Sequence, residues 1–282
     1  ACLKLTPLSL SLSLSLSPPL PFPLACGYPY VYFSCSTAKK GYIGTATACK
    51  TKPVSVLYGL GPEGDLNEEG RTITVEFTDY FICNTYVPNS GAQLDRLQYR
   101  SEVWDRALLG HLKMLEETGT PQTTTTTTAK KKAAAGKQVS LMAAWGSAAA
   151  SSSASVAGVE DTVAGGGGKS GGGGGGGGGK GKPVIWTGDL NVAHEAIDLK
   201  NDKANKNKTA GFCDAERSGL TAVLESGFDD TFRRLYPDKA AYTFWVQKFA
   251  SSYTNDTGWR IDYFIASQSL RDRIVDTVVR RE

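Results

Sequence analysis

The sequence reads as an α/β protein with antiparallel or mixed sheets and helices outside them, and three features of it say so. Arg71–Phe77 alternates strictly, with Ile73, Val75 and Phe77 on one face and Thr72, Thr74 and Glu76 on the other. Leu94–Glu117 repeats Leu97, Trp104, Leu108 and Leu115 at helical spacing. Strand-like and helix-like segments follow one another without the regular period of a βαβ series.

Taken in chain order, Val54–Leu60 is the first expected strand. Arg71–Phe77 and Tyr80–Val87 form a hairpin about Thr78-Asp79, and Pro88-Asn89-Ser90-Gly91 breaks the second strand. The amphipathic helix Leu94–Glu117 comes next. Val184–Thr187 is a short apolar strand that runs into Gly188-Asp189-Leu190-Asn191. A polar loop spans Lys200–Thr209, and a helix starting at Ala215 is expected to be capped by Asp214 and stopped by Gly227. Tyr242–Trp245 and Arg260–Ala266 are further strands, and a helix starts at Gln268–Arg273.

The formal charge of +3 is misleading until it is located. The window 121–182 holds seven lysines against Glu160 and Asp161, a net +5, so the remainder is slightly acidic. A basic nucleic-acid-binding domain therefore cannot be argued from the pI. The same window carries Thr123–Thr128, an Ala/Ser-rich stretch and Gly171–Gly179, a composition that buries too little apolar area to offset its ordering entropy. It is read as a disordered insert within one domain spanning 27–282. Residues 1–26, Leu-Ser repeats followed by clustered prolines, read as a low-complexity leader outside the fold rather than a signal peptide. No apolar run approaches the roughly 18 residues of a bilayer span. None of the six cysteines forms a C-x-x-C pair, which argues against structural zinc and for free thiols in a reducing compartment.

Four segments carry chemistry. Asp189 and Asn191 project a carboxylate and an amide from one face of a strand end, able to hold a hard cation, take a proton from water or donate to a phosphoryl oxygen. A strand-end Asx turn would use the same letters. Tyr86 and Asn89 flank Pro88 at another strand end, where a core tyrosine and a turn asparagine are the plainer reading. In Gly258–Phe264, alternation places Asp262 on the face of Arg260 and Phe264, which is also the pattern of an Asp–Arg pair on a sheet surface. Tyr242-Thr243-Phe244-Trp245 is by default core.

Together, and with Gly41–Gly44, Glu69-Gly70-Arg71, Leu97–Arg100, Trp104-Asp105, Gly188–Leu199 and Asn201–Phe212, these segments resemble the exonuclease III-like apurinic/apyrimidinic (AP) endonuclease family, and its eukaryotic branch in particular. The resemblance implies a four-layer α/β sandwich of the endonuclease/exonuclease/phosphatase type, with two packed sheets flanked by helices. It implies Mg²⁺-dependent (or Mn²⁺-dependent) hydrolysis of the phosphodiester 5′ to an abasic site in duplex DNA. It also implies a monomeric repair enzyme resident in the nucleus or an organelle, neither secreted nor membrane-bound. By resemblance Asp189 would activate or orient the attacking water, Asn191 would hold it and the phosphoryl oxygens, and both would serve as ligands of the metal. Tyr86 and Asn89 would meet the scissile phosphate, with Asp262 completing the catalytic set. Phe244 and Trp259 would wall a pocket too small for a nucleotide that keeps its base. Asn201 and Asn205, among Lys200, Lys203, Lys206 and Lys208, would face the DNA backbone.

Departures from the family pattern are equally legible. No Trp-Asn-x-Asn, Gln-Glu-Thr or Ser-Asp-His occurs in the 282 residues, so a principal metal-binding Glu and the catalytic His have no counterpart. Neither His111, on the helix, nor His194, expected to be a structural hydrogen-bonder, substitutes for the latter. Asp262, matching the residue that orients that histidine, is expected to face no partner. Ala92 and Lys248 stand where mammalian-type members place a DNA-penetrating Arg and a Met. The fold is thus expected to be incomplete at both ends, to leave a sheet edge unpaired, and to show little or no incision of a tetrahydrofuran-containing duplex. Three readings follow: an AP endonuclease of which this is an incomplete copy, a non-catalytic DNA-binding relative, and another phosphodiesterase of the superfamily.

Overall fold

Central strands with apolar residues on both faces need cover on both sides, and the chain supplies it. The computed structural model describes residues 27–39, 41–61, 65–118, 181–246 and 250–280, all within one of the chain's two compact units. The leader 1–26, residues 121–180 of the expected insert, and Lys248 lie outside the described residues. Among the described residues no helix is long and apolar enough to cross a membrane.

A six-stranded sheet runs in the order β3-β4-β5-β6-β10-β7, formed by Ser55–Tyr58, Thr72–Glu76, Phe81–Tyr86, Val184–Asp189, Asp262–Ser267 and Phe228–Asp230 respectively. All pairs are antiparallel except β5–β6, which is parallel. One face is covered by a two-stranded antiparallel sheet, β1 (Tyr30–Cys35) with β2 (Gly44–Cys49). Cys49, Ile73, Val75, Ile82, Ile185, Ala266 and Leu270 fill that interface, with Tyr30 and Tyr32 packed against them. Beyond a short helical turn, α1 (Asp65–Glu68), helices α2 (Asp105–Thr118) and α4 (Asp214–Glu225) cover the other face. There Phe81, Cys83, Val184, Trp186 and Ile265 of the sheet meet Trp104, Leu108, Leu112, Leu115, Leu220 and Val223. The period-2 alternation of the strands sends alternate side chains into the two layers. Each large side chain removed completely from water stabilises the fold by about 1.5–3 kcal/mol.

Several boundaries differ from those expected. The helix does not begin at Leu94, which takes a left-handed conformation (φ 59°) in a turn. A π-helical turn, Tyr99–Trp104, leads into α2 instead, and Leu97 lies before it. The N-cap of α4 is Cys213, one residue before Asp214, because Glu216 folds back onto the Cys213 N–H. Arg260–Ala266 is not one strand. Gly258–Trp259 (β9) pairs with Phe244–Trp245 (β8), the chain turns at Arg260–Ile261, and β10 starts at Asp262. The Arg260 side chain is sunk into the interior, so it does not share a face with Asp262. Gln268–Arg273 is a 3₁₀ helix. The polar loop holds one short helical turn, α3 (Asp202–Asn205). Strands β1 and β2, unremarkable in sequence, form the second sheet. Lys182, placed in the expected insert, is anchored by an ion pair to Glu76 (2.6 Å).

Candidate active site

The site lies at the C-terminal ends of the parallel pair β5–β6, where open α/β sheets commonly bind ligands. Register does most of the placing. On β6, Asp189 stands opposite Tyr86 of β5 on one side and opposite Asp262 of β10 on the other. The ladder then runs one residue further on each side, Val87 N–H donating to Asp189 O (2.9 Å) and Leu190 N–H to Ile261 O (2.7 Å). Gly188 makes this possible: at φ +125°, a Cβ on it would lie 2.0 Å from Thr85 O.

Past the strand end, Asn191 adopts φ +49°, a left-handed conformation that asparagine tolerates better than most residues. Its N–H donates to Asp189 Oδ1 (2.8 Å). Its side chain spans the two loops: Oδ1 accepts from Asn89 Nδ2 (3.0 Å), and Nδ2 donates to Val87 O (2.8 Å). Asn89 Oδ1 accepts from Gly91 N–H (2.9 Å), so the Pro88 turn presents its amide toward β6. Tyr86, Asn89, Asp189, Asn191 and Asp262 are thereby brought to one place.

The electrostatics reflect that crowding. Burial and the facing Asp262 carboxylate push Asp189 up to about 7, against the pull of the Asn191 N–H and of Arg100 and Arg71. Asp262 is open to solvent at the rim, yet burial of its surroundings raises it too, eased by Thr243. Burial and the Asp189 charge raise the Tyr86 phenol, while Arg71 and a bond to Asn191 oppose them. Asp262 therefore does not stand alone: it faces Asp189, and Thr243 Oγ1 accepts from its N–H (3.1 Å).

Two facing carboxylates, with Asn191 Oδ1 already engaged by Asn89, are oxygen donors of the kind a hard cation takes. Mg²⁺ is commonly held by one or two carboxylates with water and phosphate oxygens completing its shell, and Asp189 with Asp262 fits that pattern. Among the described residues no group of three or more His, Cys, Asp or Glu could hold a metal ion.

The expected pocket walls lie beside this cluster. Phe244 and Trp259 are direct partners across β8–β9, Phe244 exposed and Trp259 half-buried with its ring edge-on to Phe212 (6.5 Å). Thr243 Oγ1 also accepts from Ile261 N–H (3.1 Å), tying this ribbon to β10. Asn201 and Asn205 lie on the loop joined to the site through backbone, via Lys200 N–H to Gly258 O and the Leu199–Trp259 bridge. The Asn205 side chain is spent within its own turn, donating to Asn201 O and accepting from Thr209. Lys200, Lys203, Lys206 and Lys208 are exposed. His194 donates its backbone N–H to Tyr263 Oη, and its ring meets Thr221 Oγ1 at 2.8 Å.

Two buried ionic knots support the site, neither evident from sequence patterns. Asp198, fully buried, holds Arg260 through both oxygens (2.8 and 3.0 Å) and also binds Arg233. Arg260 reaches Asp230 as well (2.7 Å) and lies against the Tyr263 ring (4.2 Å). Arg100, also buried, reaches the carbonyls of Pro88, Leu190 and Asn191. A cleft of about 340 Å³ adjoins Tyr86 and Asn89, lined also by Tyr42, Arg71 and Arg96.

A strand-end carboxylate pair beside hydrogen-bonded asparagines is suited to hold a hard cation and to move a proton, and the chain's relatives define its class. The chain belongs to the endonuclease/exonuclease/phosphatase family, whose sequence profile matches residues 114–281. It is 36% identical over 254 residues to the zebrafish (Danio rerio) protein called DNA repair nuclease APEX1, covering 90% of this chain and 60% of that one. It is 36% identical over 251 residues to an exodeoxyribonuclease of Bacillus subtilis, covering 89% and 73%. Its fold matches that of an AP endonuclease from Archaeoglobus fulgidus with a TM-score of 0.59 at 24% identity, over 90% of this chain and 72% of that one.

Proposed function

We propose that the protein acts on duplex DNA at abasic sites, as a Mg²⁺-dependent phosphodiester hydrolase of the AP endonuclease type. The observation that carries this reading is the convergence of Asp189, Asp262, Asn191 and Asn89 at the ends of β5, β6 and β10. Asp189 is the group to take a proton from the attacking water, oriented by the Asn191 N–H on its Oδ1. Asn89 and Asn191 present amides where a phosphoryl oxygen would lie, and the Tyr86 phenol is a further donor beside them. Asp262 shares the negative charge with Asp189. A bound Mg²⁺, held by Asp189 and Asp262, would neutralise phosphoryl charge. Phe244 and Trp259 offer an apolar wall to a deoxyribose without a base, and the exposed lysines of 200–208 offer contacts to flanking phosphates.

The test is incubation of the full chain with a labelled duplex containing one tetrahydrofuran residue, with Mg²⁺ and with EDTA. Product ending 5′ to the lesion, lost with EDTA and in Asp189→Ala, supports the reading. Cleavage of undamaged duplex at the same rate, or cleavage indifferent to Asp189→Ala, contradicts it.

A further inference from the structure

The Arg100 guanidinium sits at the junction of the two loops that carry the paired asparagines. Nη1 donates to Asn191 O (2.6 Å) and to Pro88 O (3.2 Å), and Nη2 donates to Leu190 O (2.7 Å). These three carbonyls belong to Asn191 itself and to the residues immediately before Asn89 and Asn191. Arg100 is itself only 2% exposed. A second chain of contacts converges there. The Ser90 hydroxyl donates to Glu216 Oε1 (2.5 Å), and that oxygen lies 3.6 Å from Arg100 Nη1. Glu216 Oε2 accepts from Gly211 and Cys213 N–H, which ties the knot to the start of α4. The π-helical turn Tyr99–Trp104 delivers Arg100 to this point, and π-turns inside helices are frequently found at functional sites.

We propose that Arg100 is a positioning residue: its planar fork fixes the separation of the Pro88–Asn89 and Leu190–Asn191 loops, and thereby the Asn89–Asn191 hydrogen bond that the site presents to a phosphate. Only a planar multi-donor cation does this. A lysine in the same space carries the charge but not the fork, so it cannot hold three carbonyls at fixed spacing. The functional part of this inference rests on the abasic-DNA reading above, whereas its structural part does not.

The experiment compares wild type with Arg100→Lys in the full chain by two readouts. The first is the side-chain amide NMR signals of Asn89 and Asn191, which need no DNA. The second is the ratio of affinities for tetrahydrofuran-containing and undamaged duplexes. Misplacement of reacting groups by ~1 Å is enough to cost about a hundredfold in such sites. Arg100→Lys is accordingly expected to shift both amide signals and to reduce the abasic preference by about tenfold or more, while affinity for undamaged duplex stays within about twofold. A bulk structural role would lower the unfolding temperature and both affinities together. Unshifted amides with an unchanged preference overturn the inference, as does equal loss of both affinities. If wild type shows no abasic preference, the functional reading fails and the amide signals still decide the positioning role. Should Arg100→Lys fail to fold, Ser90→Ala takes its place: shifted Asn89 amide signals at an unchanged unfolding temperature support the role, and unshifted signals overturn it.

Discussion

Asp189 stands directly across the β6–β10 pair from Asp262, two carboxylates in register whose mutual repulsion raises Asp189 against the pull of Arg100 and Arg71. Like charges opposed on neighbouring strands destabilise a sheet, so the arrangement costs stability that a purely structural sheet would have avoided. Asp189→Asn keeps the acceptor for the Asn191 N–H and removes the repulsion. It is expected to raise the unfolding temperature at pH 8 by a few degrees, equivalent to about 1 kcal/mol, while lowering any Mg²⁺-dependent incision by at least about a hundredfold. Thermal scans and gel assays on one preparation check both. A lower unfolding temperature would contradict the first half.

His111 projects from α2 onto Thr74 of β4, its ring 3.1 Å from Thr74 Oγ1, and burial lowers its titration to about 4. The folded state therefore holds the imidazole neutral where the unfolded chain, titrating near 6.5, takes a proton. Its contribution to stability is complete above about pH 6.5 and is lost as the pH falls through about 4, on the order of 3 kcal/mol across that window. Urea midpoints measured between pH 7 and 4 are expected to fall less steeply in His111→Gln than in wild type. Parallel curves would show that the ring is protonated in the fold.

Gly188 has both a positive φ and a neighbouring carbonyl where a Cβ would go. Gly188→Ala must push β5 and β6 apart at the point where Tyr86 and Asp189 pair. A loss of about 3 kcal/mol or more in chemical denaturation is expected, well beyond an ordinary surface change. A cost under about 1 kcal/mol would mean the strands yield there without penalty.

Asp198 is buried against Arg260 and Arg233, and although burial alone would raise its carboxyl, those two guanidinium groups hold it below the ordinary range. Asp198→Ala leaves Arg260 with Asp230 alone and strips Arg233 of its strongest partner. Removing one member of such a pair costs about 3–5 kcal/mol. Because Arg260 adjoins Trp259 in the chain and loses its two side-chain bonds to Asp198, tryptophan fluorescence is expected to change together with stability. Unchanged emission with normal stability would contradict the role given to this knot.

Periodicity revealed the elements buried on defined faces. The hairpin about Thr78-Asp79 and the stripe Trp104, Leu108, Leu115 were legible because apolar letters recur at the period their element imposes. Strands β1 and β2 were not, since Gly44–Cys49 is small and polar in letters yet buried by the sheet it covers. The start of the helix was misplaced because a left-handed Leu94 and a π-turn leave no compositional trace. Within the site, Asp189, Asn191, Tyr86 and Asn89 stood out because i, i+2 spacing and a proline turn put chemistry at strand ends. The grouping of Asp262 with Arg260 failed because alternation was extended through a turn. Arg100, Glu216 and Asp198 hold the loops through contacts that span 12 to 126 positions, beyond the bonds Glu216 and Asp198 make near by in sequence, and only the fold brings those partners together.

Dissociation constants for two duplexes identical except for one tetrahydrofuran residue, measured with the full chain at a single fixed salt concentration, weigh the abasic-DNA assignment most directly. The lesion-bearing duplex is expected to bind at least about tenfold more tightly, a difference of about 1.4 kcal/mol supplied by the sugar entering against Phe244 and Trp259. Equal constants would mean that the cluster at Asp189 and Asn191 serves some substrate other than an abasic site.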